Sequence, residues 1–361
     1  MFPPIDYLEW IAGRPEAALY DLGSSDLRGD REFEPVAVPP SLADLPDPPA
    51  GVSVETLVAT EYGVHPEQVL VTAGASQANV IAAATAIEDC EAPTVLVEKP
   101  GYEPLVRTPQ GLGATVERFL RPDAHELDVD RAANAMTGET CLVTVTNRHN
   151  PSGRLTDRET LAELAARAGE HDARLLVDEV YAPYVADDDR RDGAFGGPTA
   201  AGVENAVVTG SLTKFFGLGD LRLGWLVADR EFVEAARRVA FHLPSVAGTS
   251  RALAMRALYG AEALAERKRD LLAANARLLA EFVEASPAVS GTVPSGSSFA
   301  FLGHELVDGD ELVTAAGDEG VLVVPGRFFG DPQRVRVSLG HAPEEMETAL
   351  ATLAAVAARL G

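Results

Sequence analysis

The apolar positions of this chain fall into two kinds of pattern. Short, nearly continuous apolar runs occur at QVLVTAG (68–74), PTVLVEKP (93–100), ATVERFL (114–120), CLVTVTN (141–147), RLLVDEV (174–180), AVVTGS (206–211) and LGWLVAD (223–229). Most are rich in β-branched residues and uniformly apolar, as strands covered on both faces should be. Each is followed by a loop, and helical stretches lie between them. Thr156-Asp157-Arg158-Glu159 fits a capping box with Thr156 as N-cap, and Leu161, Leu164, Ala165 and Ala168 follow at helical spacing. GVSVETLVATEYGV reads as a helix after an irregular, Pro-rich opening of about 50 residues.

Beyond residue 230 or so the pattern changes. Helical periodicity covers 231–241 and 249–286, followed by three strand-like runs, GSSFAFLG, GVLVVPG and RVRVSLG. The chain closes on one more helix, PEEMETALATLAAVAARL. The expected fold is therefore α/β. A large domain over residues 40–245 carries a mostly parallel, helix-covered sheet. A smaller α+β domain is assembled from 1–39 and 246–361. The long helix near 249–286 joins the two.

Composition changes the picture in one respect. Against 55 Asp and Glu stand 30 Lys and Arg, a net charge of −25. Such a surface repels nucleic acid and anionic membranes. The acids are spread along the chain, which fits adaptation to concentrated salt, where screening removes self-repulsion. Only three of the basic residues are lysines: Lys99, Lys214 and Lys268. Cys90 and Cys141 make no disulfide framework. The opening MFPPIDYLEW has no basic segment ahead of an apolar one, and no stretch approaches the ~18 apolar residues of a membrane span. The expectation is a cytoplasmic protein.

In α/β sheets ligands bind beyond the carboxyl ends of the strands, so the residues there carry the candidate chemistry. Gly74-Ala75-Ser76 opens a helix, where free backbone N–H groups and the dipole favour an anion; an ordinary turn with Ser76 as N-cap reads equally well. Tyr102 can stack on a flat ring or simply pack. Asn150-Pro151-Ser152-Gly153 is a common turn, and His149 has no partner at metal-ligand spacing. Asp178 ends a buried run, where a carboxylate needs a partner; a cationic ring nitrogen or a structural ion pair would each serve. Lys214 can form an imine with an aldehyde. Arg222 can clamp a phosphate through two parallel bonds, which lysine cannot do. No GxxxxGK[ST] and no well-placed GxGxxG argues for a nucleotide.

Taken together, G-A-S-Q-A (74–78), P-G-Y (100–102), N-R-H-N-P-S-G (147–153), D-E-V-Y (178–181), S-L-T-K…R-L-G-W (211–225) and V-R-V-S-L (335–339) occur in an order and spacing that resembles the class I/II, fold-type-I aminotransferases. The histidinol-phosphate and aspartate aminotransferases are members of this kind. The resemblance runs from about residue 50 to the C-terminus and implies pyridoxal 5′-phosphate as cofactor. It implies that Lys214 holds the aldehyde as an imine and carries the proton, and that Asp178 pairs with the ring nitrogen. Asn150 and Tyr181 would bond the phenolic oxygen, and Tyr102 would stack on the ring. Ala75, Ser76, Ser211, Thr213 and Arg222 would hold the phosphate. Arg336 would bind the substrate carboxylate, with Asn150, Gly23 and, more weakly, Ser25 as further substrate contacts.

The implied reaction moves an amino group between an α-amino acid and a 2-oxo acid. A decarboxylase or β-lyase of the same fold, similar to threonine-phosphate decarboxylase, keeps the same Lys, Asp, Asn and Tyr. A homodimer is implied, with no nucleic acid, membrane or metal. Leu45 stands in Leu45-Pro46-Asp47-Pro48 where many members have a tyrosine that reaches the partner's phosphate, which puts that contact in question. Arg327 is a conceivable contact for an acidic substrate side chain.

Overall fold

The computed structural model describes residues 4–27, 38–191 and 194–361. Residues 28–37 of the expected N-terminal segment lie outside the described residues.

Strand β1 (Tyr20–Asp21) belongs to the C-terminal half of the structure, where it pairs in parallel with β11 (Val321–Leu322). Seven strands then build the main sheet: β2 (Val69–Thr72), β3 (Thr94–Lys99), β4 (Thr115–Leu120), β5 (Thr140–Thr146), β6 (Arg174–Asp178), β7 (Ala206–Ser211) and β8 (Gly224–Val227), in the order β2-β8-β7-β6-β5-β3-β4. Only β8 runs against its neighbours, which are β2 and β7. The fold is thus α/β with a mostly parallel sheet. Every residue of β5, β7 and β8 is buried, as their unbroken apolar runs require. β4 departs from that expectation. It is one of the sheet's two edge strands and exposes Thr115, Glu117 and Leu120.

A four-stranded antiparallel sheet follows, in the order β12 (Val324–Pro325), β13 (Arg334–Ser338), β10 (Phe299–His304) and β9 (Val289–Ser290). One apolar core packs this sheet against Leu279, Phe282 and the closing helix Pro343–Leu360, whose bounds match the sequence pattern. The main sheet has a separate core on each face.

Two expectations are corrected. The long helix is broken into Gly248–Tyr259 and Ala261–Ala285. At the break, a Cβ on Gly260 would come within 2.9 Å of Leu45 Cδ2, so a side chain of the 40s occupies the space a longer residue would need. Leu45 is accordingly a buried core residue. The N-cap of helix Arg158–Gly169 is Asp157, not Thr156: its carboxylate accepts from Thr160 N at 2.8 Å. Thr156 is otherwise engaged, its backbone bonded in both directions by the Asn147 side chain.

Glu179 is buried beside Asp178, and burial, resisted by a bond from Ala200 N (2.7 Å), pushes its pKa up to about 8. The folded chain therefore keeps a proton that the unfolded chain loses near pH 4.5. Between those values stability falls as pH rises, by about 1.4 kcal/mol per unit, and levels off above pH 8. Glu179→Gln keeps an acceptor for Ala200 and removes the titration. Its melting temperature should overtake that of the parent progressively between pH 5 and pH 8; parallel curves would refute the assignment.

Candidate active site

The carboxyl ends of β5, β6 and β7, the start of helix Ala75–Ile87 and strand β13 meet at one place. Asp178 closes β6, is buried, and accepts from Asn79 Nδ2 at 2.8 Å and Val180 N at 3.3 Å. Asn79 is fixed in turn by Thr209 Oγ1, which donates to its Oδ1 at 2.7 Å. Burial is the largest influence on Asp178 and raises its pKa; Asn79, Val180 and Lys214 pull the other way. A cationic partner would hold the carboxylate ionised.

Lys214 follows β7. Burial lowers its basicity, but Tyr181, Asp26 and Tyr7 outweigh that, so its pKa is raised despite opposition from Arg336. Its Nζ lies 6.0 Å from the Tyr181 ring centroid. The backbone of its turn is clamped as well: Leu27 N donates to Lys214 O at 2.9 Å, and Lys268 Nζ donates to Leu27 O at 2.5 Å. A second of the three lysines thus braces the first.

Arg222 lies over the N-terminus of helix Ala75–Ile87. A Cβ on Gly74 (φ +84°) would meet its Nη2 at 2.8 Å, and a Cβ on Gly224 would meet Ala75 N at 2.6 Å. Both glycines are needed for that approach. Arg222 itself holds φ 45°, ψ 51°, a left-handed conformation that costs a non-glycine residue about 1–3 kcal/mol. Ser211 and Thr213 flank this cradle, with Thr213 N bonded to Ser211 Oγ at 3.3 Å. Ser76 is exposed at the helix start, and the exposed Arg222 guanidinium faces the same opening. Free N–H groups, hydroxyls and a guanidinium form an anion site suited to a phosphate.

Arg336 is wholly buried on β13. Nη1 donates to Asn150 Oδ1 at 2.9 Å, and Nη2 donates to Gly23 O at 2.9 Å and lies 3.4 Å from Tyr7 Oη. Among the described residues its Nε has no hydrogen-bond partner, so one arm of the fork is still to be satisfied. Asn150 is held by a buried relay: Arg121 Nε donates to Glu98 (2.8 Å), Thr146 Oγ1 donates to Glu98 (2.7 Å), and Asn150 N donates to Thr146 Oγ1 (2.8 Å). Tyr181 Oη is 2.5 Å from Ser25 Oγ. Tyr102 packs edge-on against Tyr7 at 5.9 Å.

The structure therefore brings together Lys214, Asp178, Tyr181, Asn150, Tyr102, Arg336, Gly23 and Ser25, with Ala75, Ser76, Ser211, Thr213 and Arg222 at the phosphate-sized cradle. Arg327 is tied elsewhere, in an ion pair with Asp310. Asn79, Tyr7 and Lys268 escaped the sequence reading. A polar residue on the buried face of the apolar ASQANVIAAATAI helix was a usable signal for Asn79; nothing in the sequence marks Tyr7. His149 donates to or accepts from Ser152 Oγ (2.6 Å) and Pro100 O (3.0 Å), and no metal-sized cluster of His, Cys, Asp or Glu occurs among the described residues.

The donor set fits pyridoxal phosphate group by group: an amine for the aldehyde, a buried carboxylate for the ring nitrogen, a cradle for the phosphate. Comparison with known proteins agrees. The family description "Aminotransferase class I and II" matches residues 28–353. Histidinol-phosphate aminotransferase of Sphingopyxis alaskensis is 30% identical over 330 residues, covering 89% of this chain and 84% of that protein. Histidinol-phosphate aminotransferase of Erythrobacter litoralis is 31% identical over 244 residues, 65% of this chain but only 63% of that relative, less than two thirds of its length. A pyridoxal-phosphate-dependent aminotransferase from Streptococcus suis superposes with a TM-score of 0.84 at 24% identity, covering 100% of this chain and 99% of that one. The chain belongs to the class I and II aminotransferases, enzymes that work through pyridoxal phosphate.

Proposed function

We propose that this enzyme moves an amino group from an α-amino acid with a large apolar or aromatic side chain to a 2-oxo acid, with Lys214 as proton carrier and Arg336 as carboxylate clamp. The observation that carries the reading is the buried Arg336 fork, with its free Nε, set among aromatic rings. Phe329 lies 5.3 Å from its guanidinium, and Tyr7 packs on Phe328 and Phe329 at 5.7 and 6.1 Å. A carboxylate completes the fork, and the rings offer apolar area to the side chain beside it.

Pyridoxal phosphate, when bound, supplies an aldehyde for the amino group and a cationic ring that draws electrons from the substrate's Cα. Asp178, anchored by Asn79, would keep that ring nitrogen protonated. Lys214 would carry the proton taken from the substrate carbon, a transfer over a few ångströms that needs one base. Tyr181 and Asn150 would hydrogen-bond the ring's phenolic oxygen, and Tyr102 would stack on the ring. Arg222, Ser211, Thr213, Ala75 and Ser76 would hold the phosphate.

The working unit in this reading is a homodimer. Phe241 is 86% exposed, and most of residues 241–250 are exposed with it, a surface that suits a second copy. No described helix is long and apolar enough to cross a membrane; a cytoplasmic location is part of the proposal. The test is a panel of amino donors and 2-oxo-acid acceptors with purified, cofactor-loaded enzyme in concentrated salt, including an amino-alcohol phosphate of the kind named in the histidinol-phosphate relatives. Transfer from phenylalanine or tyrosine should exceed transfer from aspartate in kcat/KM. Release of CO2 or ammonia without amino transfer would favour a decarboxylase or lyase instead.

A further inference from the structure

A second concave site lies away from the cofactor cradle. A cavity of about 330 Å3 opens between the two sheets' units, lined among others by Asp123, His125, Ser152, Arg154, Phe301 and Arg334. Its lining charge runs against that of the chain as a whole: two guanidiniums face it against one carboxylate, the exposed Asp123. The guanidiniums come from different units. Arg154 follows the Asn150–Gly153 turn of the main sheet, and Arg334 opens β13 of the smaller one. Each is only partly engaged. Arg154 donates from Nε to Ala124 O at 3.0 Å, and its Nη1 is 3.9 Å from Glu126. Arg334 donates from Nη1 to Phe301 O at 3.2 Å, and its Nε is 3.4 Å from Asp331.

Between them His125 has both ring nitrogens enclosed and, among the described residues, without a hydrogen-bond partner. Burial and then the approach of Arg334 hold its pKa below the ordinary value; Arg121 and Arg154 act in the same sense, and Asp331 alone opposes. Glu126 and Asp331 lie within 4 Å of the two guanidiniums and Asp123 lines the wall, so the positive charge is balanced in part, but among the described residues neither guanidinium is held by a two-bond carboxylate pair.

We propose that this cavity binds the phosphate group of a small molecule, bridged between Arg154 and Arg334 with the Ser152 hydroxyl alongside and the His125 ring forming part of the wall. Guanidinium pairs suit phosphate through parallel bonds. The volume leaves room for an organic remainder beyond the phosphate. Such a ligand would tie the two units together on either side of the substrate clamp. Arg334 and Arg336 lie two apart on β13, so they share a face of the strand. Arg334 sits 5.9 Å from the Phe301 ring, Phe301 5.8 Å from Phe329, and Phe329 5.3 Å from Arg336. On the other side, Ser152 bonds His149, which bonds Pro100 O beside Tyr102. The ligand's affinity and the amino donor's affinity should therefore be linked reciprocally.

The test uses cofactor-saturated enzyme, so that the cradle at Arg222 is filled, and titrates inorganic phosphate and, separately, glycerol 3-phosphate by calorimetry at fixed ionic strength. Saturable binding of either supports the site; tighter binding of the ester points to a phosphorylated metabolite, and equal binding to free phosphate. Arg154→Ala and Arg334→Ala should each weaken it roughly tenfold or more, the loss expected for a charge-assisted contact. A donor KM that shifts with the ligand in the parent, and not in Arg154→Ala, completes the case. No saturable binding by the parent enzyme overturns the proposal, as does unchanged affinity in both variants.

Discussion

Lys214→Ala should lose at least about 10⁴-fold in kcat/KM for amino transfer. Positioned proton transfer alone is worth about 10²–10⁴-fold, and in the proposed reading this side chain would also supply the amine that holds the cofactor. Among the described residues, Lys268 is spent on Leu27 O, and Lys99 packs its stem against Gly330, so neither lysine can substitute. Lys214→Arg should be as inactive, because a guanidinium remains protonated and makes no bond to the aldehyde. The effect is separable from misfolding. Borohydride treatment of the loaded parent should fix the cofactor covalently on the Lys214 peptide, seen by mass spectrometry. The variants should show no such adduct while retaining far-UV circular dichroism. An adduct on another peptide, or activity within a hundredfold of the parent, would end the assignment.

The next largest loss is expected at Arg336. Removing one partner of a buried, hydrogen-bonded charge pair costs about 2–5 kcal/mol, which is roughly 30-fold to a few thousandfold in kcat/KM. Arg336→Leu keeps the bulk and removes the fork, leaving Asn150 Oδ1 and Gly23 O without their donors. The discriminating readout is chemical. The parent should prefer an α-amino acid over the corresponding amine by a wide margin, and Arg336→Leu should lose most of that preference. A variant that weakens both substrates equally would show that Arg336 holds the fold rather than the carboxylate. Arg336→Lys should restore little, since an ammonium cannot match two parallel bonds.

Most of the scaffold was legible in the chain because its strands are nearly pure apolar runs. A strand buried on both faces leaves little ambiguity, and AVVTGS is read to the residue as β7. The closing helix is equally clear. What failed was local competition for the same atoms. Thr156 looked like a cap, but the Asn147 side chain takes both its backbone groups, and Asp157 caps instead. The helix across 249–286 looked continuous, but it breaks at Gly260, where Leu45, some two hundred positions away, fills the space a side chain would need. ATVERFL had strand composition, but it lies at one edge of the sheet and is partly exposed there, whereas β2 at the other edge is mostly buried.

The sequence by itself determined the alternation of strands and helices, and it supplied Lys214, Asp178, Tyr181, Asn150, Arg222 and Arg336. These are recognisable because each lies in a short local motif that resembles the family's, several of them just beyond an apolar strand run. Only the tertiary structure decided what surrounds them. Asn79 reaches Asp178 across 99 positions, Tyr7 reaches Arg336 across 329, and Ser25 reaches Tyr181 across 156. Such contacts depend on where the sheet order and the returning N-terminal segment place distant side chains. Periodicity reports only which face of its own element a residue occupies.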